Sequence, residues 1–158
     1  MAKAARAVPQ GFHTITPQLT LDNAAQTIDW YKKALGAEEV RRSAGPDGKI
    51  MHAEITIGDS RIMVNDVMQG KGPQAFGGSP ASFWVYVDNS DALFKRAVDA
   101  GAKVQMPLAD QFWGDRAGAV ADPAGYTWWI ATRKEDLTQS EIQERMAAFV
   151  KQMETASR

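Results

Sequence analysis

A long stretch of this chain is written twice. Leu21-Asp22-Asn23 returns 66 residues later as Val87-Asp88-Asn89, and each triplet closes a short alternating run and opens an amphipathic segment. Those segments end on Leu35-Gly36-Ala37 and Ala100-Gly101-Ala102. Turn-punctuated sequence then leads to Arg61-Ile62-Met63-Val64 in one copy and Thr127-Trp128-Trp129-Ile130 in the other, again 66 apart. A repeat of this length implies a two-module fold, in which equivalent positions of the copies can be compared directly.

Period assigns the elements. Thr16 to Leu21 alternates, with Leu19 and Leu21 on one face and Thr16, Gln18 and Thr20 on the other. Asp22 or Asn23 caps a helix whose apolar positions Ala24, Ile28, Tyr31 and Leu35 share one side. Gly36 stands where a helix C-terminus favours a left-handed residue. Gly45-Pro46-Asp47-Gly48 is turn chemistry between two strands, and Gly58-Asp59 turns the chain into Arg61 to Asn65. The first copy therefore reads β-α-β-β-β. The second repeats it: a strand over 82–87, a helix over 89–100 with Leu93, Phe94, Ala97 and Val98, then short strands near Lys103-Val104, 117–121 and 126–131. The predicted organisation is a flexible tail over 1–11, a first module over 12–68, a Gly/Pro-rich linker or mobile loop over 69–80, a second module over 81–132, and a C-terminal helix within 133–158. Thr138-Gln139-Ser140-Glu141 matches a capping box for that helix, whose stripe Ile142, Met146, Phe149, Val150 and Met153 calls for packing against the body or a second subunit.

Composition narrows the function classes. A net charge of −1 with no basic run gives no footprint for nucleic acid or an anionic membrane. No apolar stretch approaches the length of a membrane span, and Met1 to Gln10 lacks the apolar core of a secretory signal, so a cytoplasmic location is expected. The absence of cysteine excludes disulfides and thiol catalysis. No nucleophile–histidine–acid arrangement and no Gly-rich phosphate loop is visible.

The two βαβββ copies, Leu21-Asp22-Asn23 with Ile28-Asp29-Trp30-Tyr31-Lys32 and Leu35-Gly36, and the closing Asp122-Pro123-Ala124-Gly125-Tyr126 resemble the vicinal oxygen chelate superfamily of glyoxalase I, extradiol dioxygenases and bleomycin-resistance proteins. The resemblance covers residues 12–132. His52-Ala53-Glu54, Phe112-Trp113-Gly114-Asp115-Arg116 and Glu135-Asp136-Leu137-Thr138 look nearest to its PhnB-like branch. The resemblance implies an α+β fold in which two modules form a curved mixed sheet around a cup, with helices on the convex side. It also implies a homodimer, which unprotected sheet edges and the tail stripe independently favour.

On that frame the alternation sorts side chains. Leu19, Leu21, Ile55, Ile57, Phe83, Val85, Trp128 and Ile130 are expected under helices; Thr16, Gln18, His52, Glu54, Met63, Trp84, Tyr86 and Trp129 are expected on the cup face. The metal-dependent members of the family use one ligand near the start of the first strand and one on the last strand of each copy. These positions fall on Thr16, Met63, Ser82 and Trp129, a poor set for a divalent ion, so no metal and no cofactor is expected. The expected ligand-binding residues are Gln18, His52, Glu54, Trp84, Tyr86, Trp113, Arg116 and Trp129, with Gly114 giving a ligand close approach. They suit a small, partly aromatic or anionic molecule, Arg116 holding a carboxylate or phosphonate unless it pairs with Asp115 or Glu54. Two readings stay open. One is a metal-independent binder; the other is a lyase or isomerase of the glyoxalase kind with His52 and Glu54 as catalytic acid and base or as part of a displaced metal site.

Overall fold

The computed structural model describes residues 6–156; Met1–Ala5 of the predicted tail and the last two residues lie outside them. By contact the chain divides into two compact units, Met1–Pro80 with Pro123–Tyr126, and Ala81–Asp122 with Thr127–Arg158. Each is built on the same βαβββ order, and each holds one four-stranded mixed sheet.

The first unit runs β1 (Gln18–Leu21), α1 (Ala24–Leu35), β2 (Glu38–Ala44), β3 (Ile50–Ile57) and β4 (Ser60–Asp66). Its sheet order is β1-β4-β3-β2, parallel between β1 and β4 and antiparallel elsewhere. The predicted strand over 16–21 starts two residues late. The Pro17 carbonyl still accepts from Met63 N at 2.9 Å, but Pro17 has no N–H to extend the ladder. Leu19, Leu21, Ile55, Ile62 and Val64 are buried on the face that α1 covers with Ala24, Ile28, Tyr31 and Leu35. Each such large side chain contributes about 1.5–3 kcal/mol through its removal from water. Ile57, at the strand end, is only half-buried. Asn23 is the N-cap of α1, its side chain accepting from Gln26 N, and Gly36 ends the helix at φ 69°. The buried Asp66 takes the Ala24 amide at 2.7 Å and the Ile50 amide at 2.6 Å, which satisfies a helix-end donor and a strand-start donor with one carboxylate.

Segment 69–80 includes a 3-10 turn over Pro73–Phe76. The Gln74 side chain bonds the Pro123 carbonyl, and Ser79 N donates to the Gly125 carbonyl at 2.9 Å, which fixes Pro123–Tyr126 to this unit. Pro9 to Phe12 forms a turn, closed by Phe12 N donating to Pro9 O at 3.1 Å.

The second unit runs β5 (Ser82–Tyr86), α2 (Ser90–Asp99), β6 (Lys103–Asp110), β7 (Asp115–Ala121), β8 (Thr127–Arg133) and α3 (Gln139–Ala156). Its sheet order β5-β8-β7-β6 repeats that of the first unit. Trp128, Ile130, Val120 and Ala97 are buried, whereas Phe83 and Val85 are half-buried and Val98, expected on the apolar face of α2, is exposed. The expected short strand at 103–104 runs on through Asp110, passing Pro107 and two register shifts. Both features disrupt an edge strand, which discourages pairing with another chain. The strand expected at 117 begins at Asp115, so Asp115 and Arg116 sit in the ladder.

The repeat extends to the helix starts. Asn89 caps α2 as Asn23 caps α1, and Thr132 Oγ1 accepts from Ser90 N at 2.8 Å where Asp66 accepts from Ala24 N. The capping box of α3 forms: Thr138 Oγ1 accepts from Glu141 N at 3.3 Å, and Glu141 Oε2 accepts from Thr138 N at 2.7 Å. No described residue of α3 is buried.

Candidate ligand-binding site

The second unit presents an aromatic surface on the sheet face opposite α2. Trp84 and Trp129 are direct register partners on β5 and β8. Their rings stack at 4.8 Å with an interplanar angle of 1°. Tyr86, two residues along β5 on the same face, stacks on Trp84 at 6.0 Å and 23°. Trp113, from the turn between β6 and β7, meets Trp84 edge-on at 6.3 Å, and Phe112 continues the series to Phe149 of α3 at 5.4 Å. Beneath lie Ala117, Ala119 and Ala131, all buried, whose small side chains let large rings lie over the strands. Trp84 is 41% and Tyr86 58% exposed, an unusual cost for rings of this size on a protein surface.

Asp115 fixes this surface. It is 1% exposed and accepts from Tyr86 Oη at 3.0 Å, Trp113 Nε1 at 3.1 Å and Arg133 Nη1 at 3.2 Å. Burial, followed by the bond to Asp115, raises the Tyr86 hydroxyl above the usual tyrosine value, so it remains a protonated donor. Gly114, expected to admit a ligand, is closed by the chain itself. At φ +95° a Cβ there would lie 2.7 Å from the Glu135 carbonyl oxygen, and Lys134 N and Glu135 N both donate to the Gly114 carbonyl.

The polar candidates form a separate cluster in the first unit. Glu54 is 1% exposed. Arg41 donates through Nε at 2.7 Å and also through Nη2, Arg61 Nη1 donates at 2.7 Å, and His52 Nε2 lies at 3.1 Å. Burial pushes the Glu54 carboxyl up, but the bonds from Arg41, His52 and Arg61 outweigh it and hold the group at about 2. Arg61 is covered by the Phe12 ring, with its guanidinium carbon 4.8 Å from the ring centroid, and by Gly11. Gln18 donates to Asn65 Oδ1 at 2.8 Å and is the register partner of Met63.

Arg116 stands apart from the aromatic surface. Neighbouring residues of β7 face opposite ways, so Asp115 joins the aromatic side and Arg116 the side of α2. It pairs bidentately with Asp91 at 2.7 Å and 2.7 Å and reaches Asp110 at 3.2 Å; neither expected partner, Asp115 nor Glu54, is bonded to it. Sequence reasoning missed Arg41, Arg61, Arg133 and Phe149. Arg133 was within reach, being two strand periods beyond Trp129, whereas Arg41 needed the β2–β3 register.

The ladders set which residues face Met63 and Trp129 across the sheets. The residue opposite Met63 is Gln18 and that opposite Trp129 is Trp84, each two residues beyond the expected Thr16 and Ser82 on the same face. A thioether, an amide and two stacked indoles do not fit a divalent ion. Among the described residues no cluster of three or more His, Asp or Glu is disposed to hold one.

Residues 11–130 match the glyoxalase/bleomycin resistance protein/dioxygenase superfamily. The chain belongs to that superfamily. An uncharacterized protein of Mycobacterium tuberculosis is 41% identical over 140 residues, spanning 85% of this chain and 82% of that one. Among solved structures, the PhnB protein of Bacillus cereus superposes with TM-score 0.59 at 18% identity, over 76% of this chain and 99% of that one. A bleomycin-binding protein in complex with bleomycin superposes with TM-score 0.56 at 20% identity, over 78% and 99%. At these identities the two structures establish a shared fold. No described helix is long and apolar enough to cross a membrane.

Proposed function

We propose that this superfamily member binds a flat, partly aromatic small molecule on the aromatic face of its second unit, without a divalent metal. The observation behind this reading is the parallel stack of Trp84 on Trp129, with Trp84 and Tyr86 open to solvent. Indoles held at a fixed angle by their neighbours lose little freedom when a planar ligand stacks on them. The fold is also used by a protein that binds bleomycin, a precedent for ligand capture on this scaffold. Catalysis by His52 and Glu54 finds less support. Both Glu54 oxygens are taken by cationic donors, and a carboxyl held at about 2 is a weak proton acceptor.

The test is calorimetric titration with planar aromatic compounds. Trp129→Ala should weaken binding about tenfold, through lost ring contact and lost buried area. Chelator treatment should leave affinity unchanged. Parent-like affinity in both Trp129→Ala and Trp84→Ala would make these rings structural and end this reading.

The same reading includes a second copy of the chain. Met146, Phe149, Val150 and Met153 recur on α3 and are all substantially exposed, an apolar stripe that self-association would cover.

A further inference from the structure

We propose that Arg133 selects ligands carrying an oxyanion at one end of a flat aromatic body, an assignment that rests on the aromatic face being the binding surface. On β8, Trp129, Ala131 and Arg133 share one face, and the span from the first to the last is about 13 Å at strand rise. Tyr86 lies opposite Ala131, between the stacked indoles and the guanidinium. Aromatic surface thus runs along the strand and ends in a cation.

Arg133 is held in place yet incompletely used. Its Nη1 donates to Asp115 at 3.2 Å, and its Nε reaches Asp136 only at 3.4 Å. Among the described residues Nη2 meets no acceptor, and the side chain is 45% exposed. The buried Asp115 binds the Tyr86 hydroxyl through Oδ2 and Arg133 through Oδ1, so one carboxylate sets both the ring and the guanidinium. Arg133 offsets the buried charge of Asp115 and still presents N–H donors outward. A planar, forked donor at a set position matches a carboxylate or a similar oxyanion. Arg116 cannot serve this face: it projects to the other side of β7, and its fork is filled by Asp91.

The test uses two probes of one shape, biphenyl-4-carboxylate and its neutral carboxamide, titrated by calorimetry into the full chain. The parent should prefer the carboxylate about tenfold, the size of one charge-assisted hydrogen bond. Arg133→Gln should remove that preference and leave carboxamide affinity near the parent value. Because Arg133→Gln also takes a donor from buried Asp115, a second variant avoids the core. Asp136 is fully exposed, and Asp136→Asn removes a negative charge beside the guanidinium, so it should tighten carboxylate binding about twofold without moving the carboxamide.

A folded Arg133→Gln that keeps the preference overturns the assignment. So does an Asp136→Asn that leaves the carboxylate unmoved, or an Arg116→Gln that alone abolishes the preference. Trp129→Ala separates the two levels. If it weakens both probes while Arg133→Gln changes nothing, the aromatic surface stands and the anion selector falls. If it weakens neither, or if the parent binds neither probe, both fall.

Discussion

At Glu54, burial makes charge costly while Arg41, His52 and Arg61 supply donors that outweigh it, so the carboxyl falls from 4.5 to about 2 on folding. A folded value below the unfolded one gives stability that is full above about pH 4.5 and is lost as pH drops through about 2. Denaturant titrations of the parent across that range should show a steep loss of stability towards acid, of order 3 kcal/mol from this group. Glu54→Gln should lose about 3 kcal/mol at neutral pH, since it strands two arginines, and its stability should be flatter over the same acid range. A variant as acid-labile as the parent would show that other carboxylates govern the transition. The pair His52 and Glu54 was legible in the sequence because i, i+2 residues share a strand face. The arginines that turn Glu54 into a fixed anion were not, because they arrive from two neighbouring strands.

Between elements, α2 and β6 both press closely on β7 at Gly118. Gly118 has no side chain where a Cβ would lie 2.7 Å from Phe94 Cε2 and 2.8 Å from the backbone of Leu108. Gly118→Ala must displace a ring and a strand, at a cost of about 1–3 kcal/mol, measurable as a lower melting temperature. An unchanged melting temperature would mean that β6 shifts freely at its register break. The α3 capping box makes a second expectation at this scale: Thr138→Ala should cost about 1 kcal/mol of helix stability and lower the helical signal in circular dichroism. Helix ends were partly readable from local chemistry: Thr138 caps α3 as the capping box placed it, and of the two candidates Asp22 and Asn23 it is Asn23 that caps α1, whereas Asn89, read as the first residue of α2, is its cap. The second anchor at the starts of α1 and α2, Asp66 and Thr132, was not readable, since it comes from a strand residue 42 positions away.

For the whole molecule, the exposed stripe on α3 is what the proposed second copy would cover, and a dimer formed that way is expected to depend on concentration. Light scattering at micromolar concentration should give the mass of two chains, and truncation from residue 137 onward should lower it to one chain or reduce solubility. A single-chain mass for the intact protein would count against self-association. What the sequence determined by itself was the doubled βαβββ order and the helix-facing set headed by Leu19, Leu21, Trp128 and Ile130. These follow from period, capping and residue type, all local. The tertiary structure decided which polar residues lie together. It sent Arg116 to α2 and Asp91, brought Arg133 to the aromatic face through Asp115, and paired Gln18 with Met63. A one-residue step reverses the face of a strand side chain, and cross-strand register is set by long-range ladders that no local signal encodes.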